Sequence, residues 1–379
     1  MNNSFAGHLC IVFALEHYNP LGQIRSLGEM GINPVYISVK RRYEVATKSK
    51  YISKLHKVDS VEDGYELLMS EYGNFDKDHL PYVIFSDDKS VGFFDLHYEE
   101  WKDKFIAFNA GRQGRINEFM DKYNIQQLAK KHGFNVLDSY VVGKDDPIPH
   151  NLWYPVITKD ISPNSGNWKS DVFICNNEKE LKEAFEKIAS PTIMIQHFVD
   201  KKNEMALEGY TINHGQDLQI VTQMTWKYLI QGYYSPYHDV TMFTDKVMEE
   251  KLKAMFKEIG FEGIFEVEFL VDKDDTFYFM ETNFRASAWN PTGLVAGMPL
   301  AYLWVKGMTN GYILESDRKC FEDFTSMSEI IDYGKRVEGG MISFPEWLRD
   351  FKEAKCTYIY NSKDRAPWEE ACRNWEKFK

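Results

Sequence analysis

The chain has 379 residues, 44% hydrophobic and 27% charged, which is globular composition with enough length for two or three domains and excludes a disordered or fibrous chain. Its 45 Lys and Arg against 57 Asp and Glu leave a formal charge of −12, which argues against a phosphate backbone as the main partner, so no nucleic acid is expected. Five cysteines, at 10, 175, 320, 356 and 372, lie far apart without CxxC or Cys/His metal spacing, as expected in a reducing compartment, and a cytoplasmic location fits best.

The opening "MNNSFAGHLCIVFALEHYNP" lacks a basic leader and its apolar run stops at Glu16, so it reads as a first strand, with no signal peptide and no membrane span. "HLCIVFAL" (8–15), "NPVYISV" (33–39), "YVIFS" (82–86) and "FIAFN" (105–109) are short apolar runs separated by helical stretches, the pattern of an open α/β layer. No G-x-G-x-x-G follows the first strand and no G-x-x-x-x-G-K-[ST] occurs in the chain, so neither dinucleotide nor P-loop chemistry is supported. "GRINEFMDKYNIQQLAKKHGF" spaces its apolar residues as one helix, with Gly133 as its C-terminal signal. A small α+β block follows: "NVLDSYVV", "YPVITK", "DVFICN", the helix "EKELKEAFEKIA" and "TIMIQHFV", with a turn-rich loop "DISPNSGNW" behind Lys159. Strands at "NEMALEGYTIN" and "DLQIVTQMTWKYL" and a helix over 245–260 lead to a hairpin. The tail from 311 reads as helix, strand and helix at "GGMISFPEWLRDF", "KCTYIYN" and "APWEEACRNW".

The hairpin "EVEFLVDKDDTFYFMETNFR" (266–285) places carboxylates where a buried sheet should carry apolar groups. With a turn at 273–276, Glu268 faces Glu281 and Glu266 faces Asn283. On this alternation the acids share a face with Leu270 and Phe279. Like charges directly opposite destabilise a ladder, and desolvation adds to the cost, so a cation is expected between them. Mg²⁺ fits: it is a hard ion usually held by one or two carboxylates plus substrate phosphates. The bland alternative is a solvated acidic face. His8, His17 and His197 are possible bases by type, but a lone His in an apolar run is more often a satisfied core residue.

Taken in order, "DKY" with Lys122, "PVITK" ending at Lys159, the small-residue loop 162–168, "IMIQHFV" with Glu204 after it, "EVEF" and "METNFR" resemble the ATP-grasp superfamily, specifically its carboxylate–amine ligases. The resemblance covers roughly residues 100–310. It implies α/β and α+β architecture: an ATP-grasp fold preceded by an N-terminal open α/β domain. The expected divisions are 1–112 for that first domain, 113–198 for the small lobe and nucleotide linker, 199–310 for the lobe with the metal site, and 311–379 for a C-terminal extension. Among such ligases the stretches "ETNFRASAWNPTGLVAGMPLAYL" and "FKEAKCTYIYNSKDRAPW" look most like the D-aspartate ligase group that builds peptidoglycan cross-bridges.

The resemblance implies that Lys122 and Lys159 direct their ammonium groups at the α- and β-phosphates of ATP, with Ser165 and Gly166 in the phosphate lid. It places adenine against the linker Gln196, His197, Phe198 and Val199, and the ribose hydroxyls on Glu204. Gln196 departs from the Glu usual there, although its amide oxygen can still accept a bond. Glu268, Glu281 and Asn283 would hold Mg²⁺, for which Mn²⁺ can substitute, and Arg285 would balance charge on the transferring phosphoryl group. Each lysine or Glu has a bland alternative as a solvated surface residue, and the linker as plain core strand. Arg25, Arg112 and Arg115 are candidate clamps for substrate carboxylates, with surface placement at least as good a reading. The implied partners are a small-molecule or peptide carboxylate and an amine, with no membrane, and a homodimer is compatible with them. A small-molecule kinase on the same fold, or a nucleotide-binding module without turnover, are the competing readings.

Overall fold

The computed structural model describes residues 2–161, 171–230 and 234–377. The chain divides into two compact units. The first comprises Met1–Ile116, Ala206–Glu266 and Asn283–Lys379, and the second Asn117–Met205 and Val267–Thr282. No helix among the described residues is long and apolar enough to cross a membrane.

The first unit holds a six-stranded sheet of β1 (Ser4–Phe5), β2 (His8–Leu15), β3 (Val35–Val39), β4 (Lys54–Val58), β5 (Tyr82–Phe85) and β6 (Ile106–Ala107), in the order β4-β3-β2-β5-β6 with β1 alongside β2. All pairs in that order are parallel. Strands β2, β3 and β5 are the apolar runs of the sequence, because helices cover both faces and nearly every side chain is buried. β4, "KLHKV", gives no apolar signal because it is an edge strand whose side chains are mostly exposed. Helix Asn19–Gly28 begins at a Pro in its first turn and buries nine of its residues. Its Gly22 is required by close approach: a Cβ there would lie 1.9 Å from Asn290 Oδ1.

The other sheets use β7 (Ser139–Gly143), β8 (Val156–Asp160), β9 (Ile174–Cys175), β10 (Thr192–His197), β11 (Asn203–Ile212), β12 (Asp217–Trp226), β13 (Tyr237–Thr241), β14 (Gly263–Val271), β15 (Phe277–Asn283), β16 (Phe324–Met327) and β17 (Cys356–Thr357). The seven-stranded sheet runs β15-β14-β11-β12-β13-β16-β17. The tail supplies the expected helix Phe344–Glu353, strand β17 and helix Ala366–Arg373.

The second unit carries the four-stranded sheet β7-β10-β8-β9, antiparallel throughout. Helix Glu178–Lys187 is capped by Asn177, whose side chain accepts from the Glu180 amide. Leu181, Ala184 and Phe185 on one face of that helix pack with Val142, Val156, Ile193 and Ile195 of the sheet. The single helix expected across 115–132 is two, Arg115–Met120 and Lys122–Lys131. Asp121 divides them because its carboxylate caps the second, accepting from Asn124 N. Gly133 has the left-handed φ of +80° expected beyond a helix end.

Candidate functional site

In the second unit, Lys122 opens its helix and places Nζ 3.4 Å from Glu281 Oε2 of β15. The Glu281 carboxylate, against the opposing effect of burial, holds Lys122 above the ordinary lysine value, and Glu268 and Asp160 add to that pull. Lys122 therefore supplies positive charge directly to Glu281 and through the local field to Glu268. The strict alternation expected for β15 does not hold: Phe279 is buried, Met280 and Glu281 are half-buried, and Thr282 is buried again. The two-residue period slips by one, so Phe279 packs with Phe269 and Phe134 and does not share the acids' face.

Lys159, on β8, donates to Gln196 Oε1 at 2.9 Å. Gln196 Nε2 donates to Gln126 Oε1 at 2.9 Å, and Gln126 Nε2 to the carbonyl of Met280 at 2.8 Å. Both glutamines are buried, so this relay fixes each amide's orientation. Burial first, and then the Lys122 charge, push Lys159 down to about 8, against the opposing pull of Glu281 and Glu204. Gln196 thus spends its side chain on Lys159 and Gln126, and its oxygen, the expected adenine contact, is already accepting. Gln126 was not singled out from the sequence.

Along the linker, His197 N bonds to Asp138 O and Phe198 N to Pro155 O, both at 2.9 Å. The backbone amide and carbonyl of Val199 have no partner among the described residues. The His197 ring lies 3.2 Å from Trp153 O. Glu204 is ion-paired to Lys201. Ser165 and Gly166 lie outside the described residues.

In the first unit, Asn283 Nδ2 donates to Glu266 Oε2 at 3.0 Å, the cross-strand pair expected. Arg285 grips Asp88 with two bonds, Nε to Oδ1 at 3.1 Å and Nη2 to Oδ2 at 3.0 Å, and reaches Glu266 with Nη1 at 3.4 Å. Asp88 opens the helix Asp88–Leu96, and Asp87 caps it while also accepting from Leu15 N. The "SDDKS" turn at a strand's carboxyl end was the available signal for both. Buried Glu208 accepts from Ser287 N and Oγ at 2.9 and 2.8 Å, and burial pushes it up to about 8.

The candidate arginine clamps Arg25 and Arg115 are engaged within the protein. Arg25 is not a substrate ligand: it is buried in an ion pair with Asp364 at 3.0 Å and donates to the carbonyls of Tyr358, Ile359 and Asp364. Arg115 donates to Ile259 O and Glu258 O. Arg112 is exposed. His8 bonds to Leu80 O. His17 bonds to Asn19 and is pushed down to about 4, chiefly by burial and then by the Arg41 charge.

The chemistry of these donors fits a divalent ion. In the second unit Glu281 lies 3.4 Å from the Lys122 ammonium, which Glu268 and Asp160 also stabilise, and among the described residues no group of three His, Cys, Asp or Glu side chains converges as a closed cage. Mg²⁺ typically takes one or two protein carboxylates and completes its shell with phosphate oxygens and water.

Residues 121–316 match the model of the carbamoyl-phosphate synthase L chain, ATP binding domain. The propionyl-CoA carboxylase alpha chain of Ruegeria pomeroyi is 24% identical over 214 residues, 52% of this chain and 31% of its own length. The D-alanine–D-alanine ligase of Fusobacterium nucleatum is 27% identical over 171 residues, 43% of this chain and 55% of its own. The matched part thus spans about a third to a half of these relatives. Among solved structures, the ADP complex of purK, N5-carboxyaminoimidazole ribonucleotide synthetase, superposes with a TM-score of 0.67 at 12% identity, covering 100% of this chain and 98% of that one. The fold is therefore that of the ATP-grasp proteins with their N-terminal α/β domain.

Proposed function

The chain belongs to the family of the carbamoyl-phosphate synthase L chain ATP-binding domain, and from that membership we propose that it is an ADP-forming carboxylate–amine ligase. The observation that carries the reading is the second unit's charge arrangement, in which Lys122 pairs with Glu281 at 3.4 Å while Lys159 is held by a buried glutamine relay. Two ammonium groups that repel each other lose that cost when a polyphosphate arrives.

In this reading Lys122 and Lys159 hold ATP phosphates, the Val199 backbone meets the adenine edge, and Glu204 exchanges Lys201 for ribose hydroxyls. Glu268, Glu281 and Asn283 would hold Mg²⁺ or Mn²⁺, which when bound neutralises phosphate charge. Arg285, oriented by Asp88, supplies fixed positive charge to the transferring group. The substrate carboxylate attacks the γ-phosphorus, giving an acyl phosphate and ADP, and an amine then attacks the acyl carbon and expels phosphate. No enzyme nucleophile is needed, since positioning and electrostatics carry this chemistry.

The carboxylate donor is read as an amino acid, in keeping with the D-alanine–D-alanine ligase relative, with D-aspartate for a peptidoglycan precursor as the specific candidate. A second reading, carboxylation with hydrogencarbonate as the activated carboxylate, is favoured by the carboxylase relative. The test is phosphate release from MgATP with D- and L-amino acids or hydrogencarbonate, with hydroxylamine as a general amine. A hydroxamate identifies the activated amino acid, and release with hydrogencarbonate alone supports the second reading. A phosphorylated hydroxyl without acyl product would mean a kinase and overturn both.

A further inference from the structure

The first unit has a cavity of about 540 Å³ at the carboxyl end of β3, the side of a parallel sheet where α/β proteins take their ligands. Four acids and four cations line it, and nearly all are spoken for. Glu16, 1% exposed, accepts from Tyr36 Oη, Ser38 Oγ, Val45 N and Thr47 N. Glu44 pairs with Lys48 and Lys57 at 3.0 and 2.6 Å, and Asp59 with Lys40 at 3.0 Å. Glu370 pairs with Arg373 at 2.9 Å and accepts from Asn374. That leaves Arg41 and Arg42, both exposed and neither with an acidic partner among the described residues.

Two further features bear on what enters. Glu16 holds the loop that carries the arginines through the Val45 and Thr47 amides. The cavity wall reaches His17: Tyr43 lies 6.0 Å from its ring, and the charges of Arg41 and Arg285 both act on it. Each guanidinium presents a planar fork of donors that matches carboxylate and phosphate oxygens.

We propose that this cavity is an oxyanion subsite in which Arg41 and Arg42 grip a carboxylate or phosphate that one ligase substrate carries in addition to its reacting group. The substrate class is thereby acidic. Calling the ligand a substrate rests on the ligase reading, whereas the oxyanion site itself does not.

The experiment measures binding of malonate and of inorganic phosphate to the full chain by calorimetry, comparing wild type with the R41M/R42M double variant. At least one anion binds the wild type, and the substitution weakens it about ten- to a hundredfold, the range for losing hydrogen bonds to a charged group; which anion binds separates dicarboxylate from phosphate substrates. A parallel turnover arm predicts the same factor in KM for acidic amino acids. If the Met pair does not fold, R41K/R42K keeps the charge and removes the paired geometry, and weaker binding is again expected. Wild type that binds neither anion, or variants that bind equally well, overturn the subsite. Binding lost in the variants, with no turnover on any acid, sustains the subsite and counts against the ligase reading instead.

Discussion

Replacing Gln196 with Glu isolates the electrostatics of the phosphate-binding lysine. In the wild type, Lys159 faces a neutral amide at 2.9 Å, and its fall from 10.5 to about 8 corresponds to roughly 3 kcal/mol of preference for the neutral amine. A carboxylate at the same position returns a direct ion pair, worth about 4 kcal/mol at 4 Å with an effective dielectric near 20, which is enough to bring Lys159 back to its ordinary value. The cost is local: Gln126 must turn its amide to donate to the new carboxylate and give up the Met280 carbonyl, a loss of about 0.5–1.5 kcal/mol. The assay is affinity for a non-hydrolysable ATP analogue as a function of pH. Wild-type affinity is expected to decline above pH of about 8 as Lys159 loses its proton, while Q196E holds its affinity to clearly higher pH, with a slightly lower Tm. Superimposable profiles, or a wild type that is flat through this range, would refute the reasoning.

Arg25→Ala leaves Asp364, 1% exposed, buried without its cation. A loss of about 3–5 kcal/mol is expected, read by urea unfolding, and a neutral result would mean that the pair is not buried in solution. Glu208→Gln tests a raised carboxyl. Because burial lifts Glu208 from 4.5 to about 8, its contribution is fully present below pH 4.5 and is lost as pH rises through 8. The Tm of the variant relative to wild type should therefore climb over that interval, and a constant difference would contradict the assignment.

The fully buried strands were legible because apolar runs are long-lived signals in a sheet covered on both faces, as in β2 and β5. The charged edge strand β4 was not. The hairpin acids were legible as a conflict between charge and burial, and the Asn283–Glu266 pair followed from the turn. The slip in β15 was not, since alternation carries no mark of an irregularity. Partners distant in the chain were out of reach: Asp88 lies 197 residues from Arg285, Gln126 lies 70 from Gln196, and Asp364 lies 339 from Arg25. The sequence therefore offers Arg25 as a substrate clamp, whereas it anchors the tail through Asp364, Tyr358 and Ile359.

The central claim is that Glu268 and Glu281 hold a divalent ion for nucleotide chemistry, and Mn²⁺ titration followed by electron paramagnetic resonance, with and without ADP, tests it most directly. Tight Mn²⁺ binding is expected only with nucleotide present, and E281Q and E268Q should each weaken it about tenfold or more. Mn²⁺ affinity that ignores ADP, or that survives both substitutions, would contradict the account.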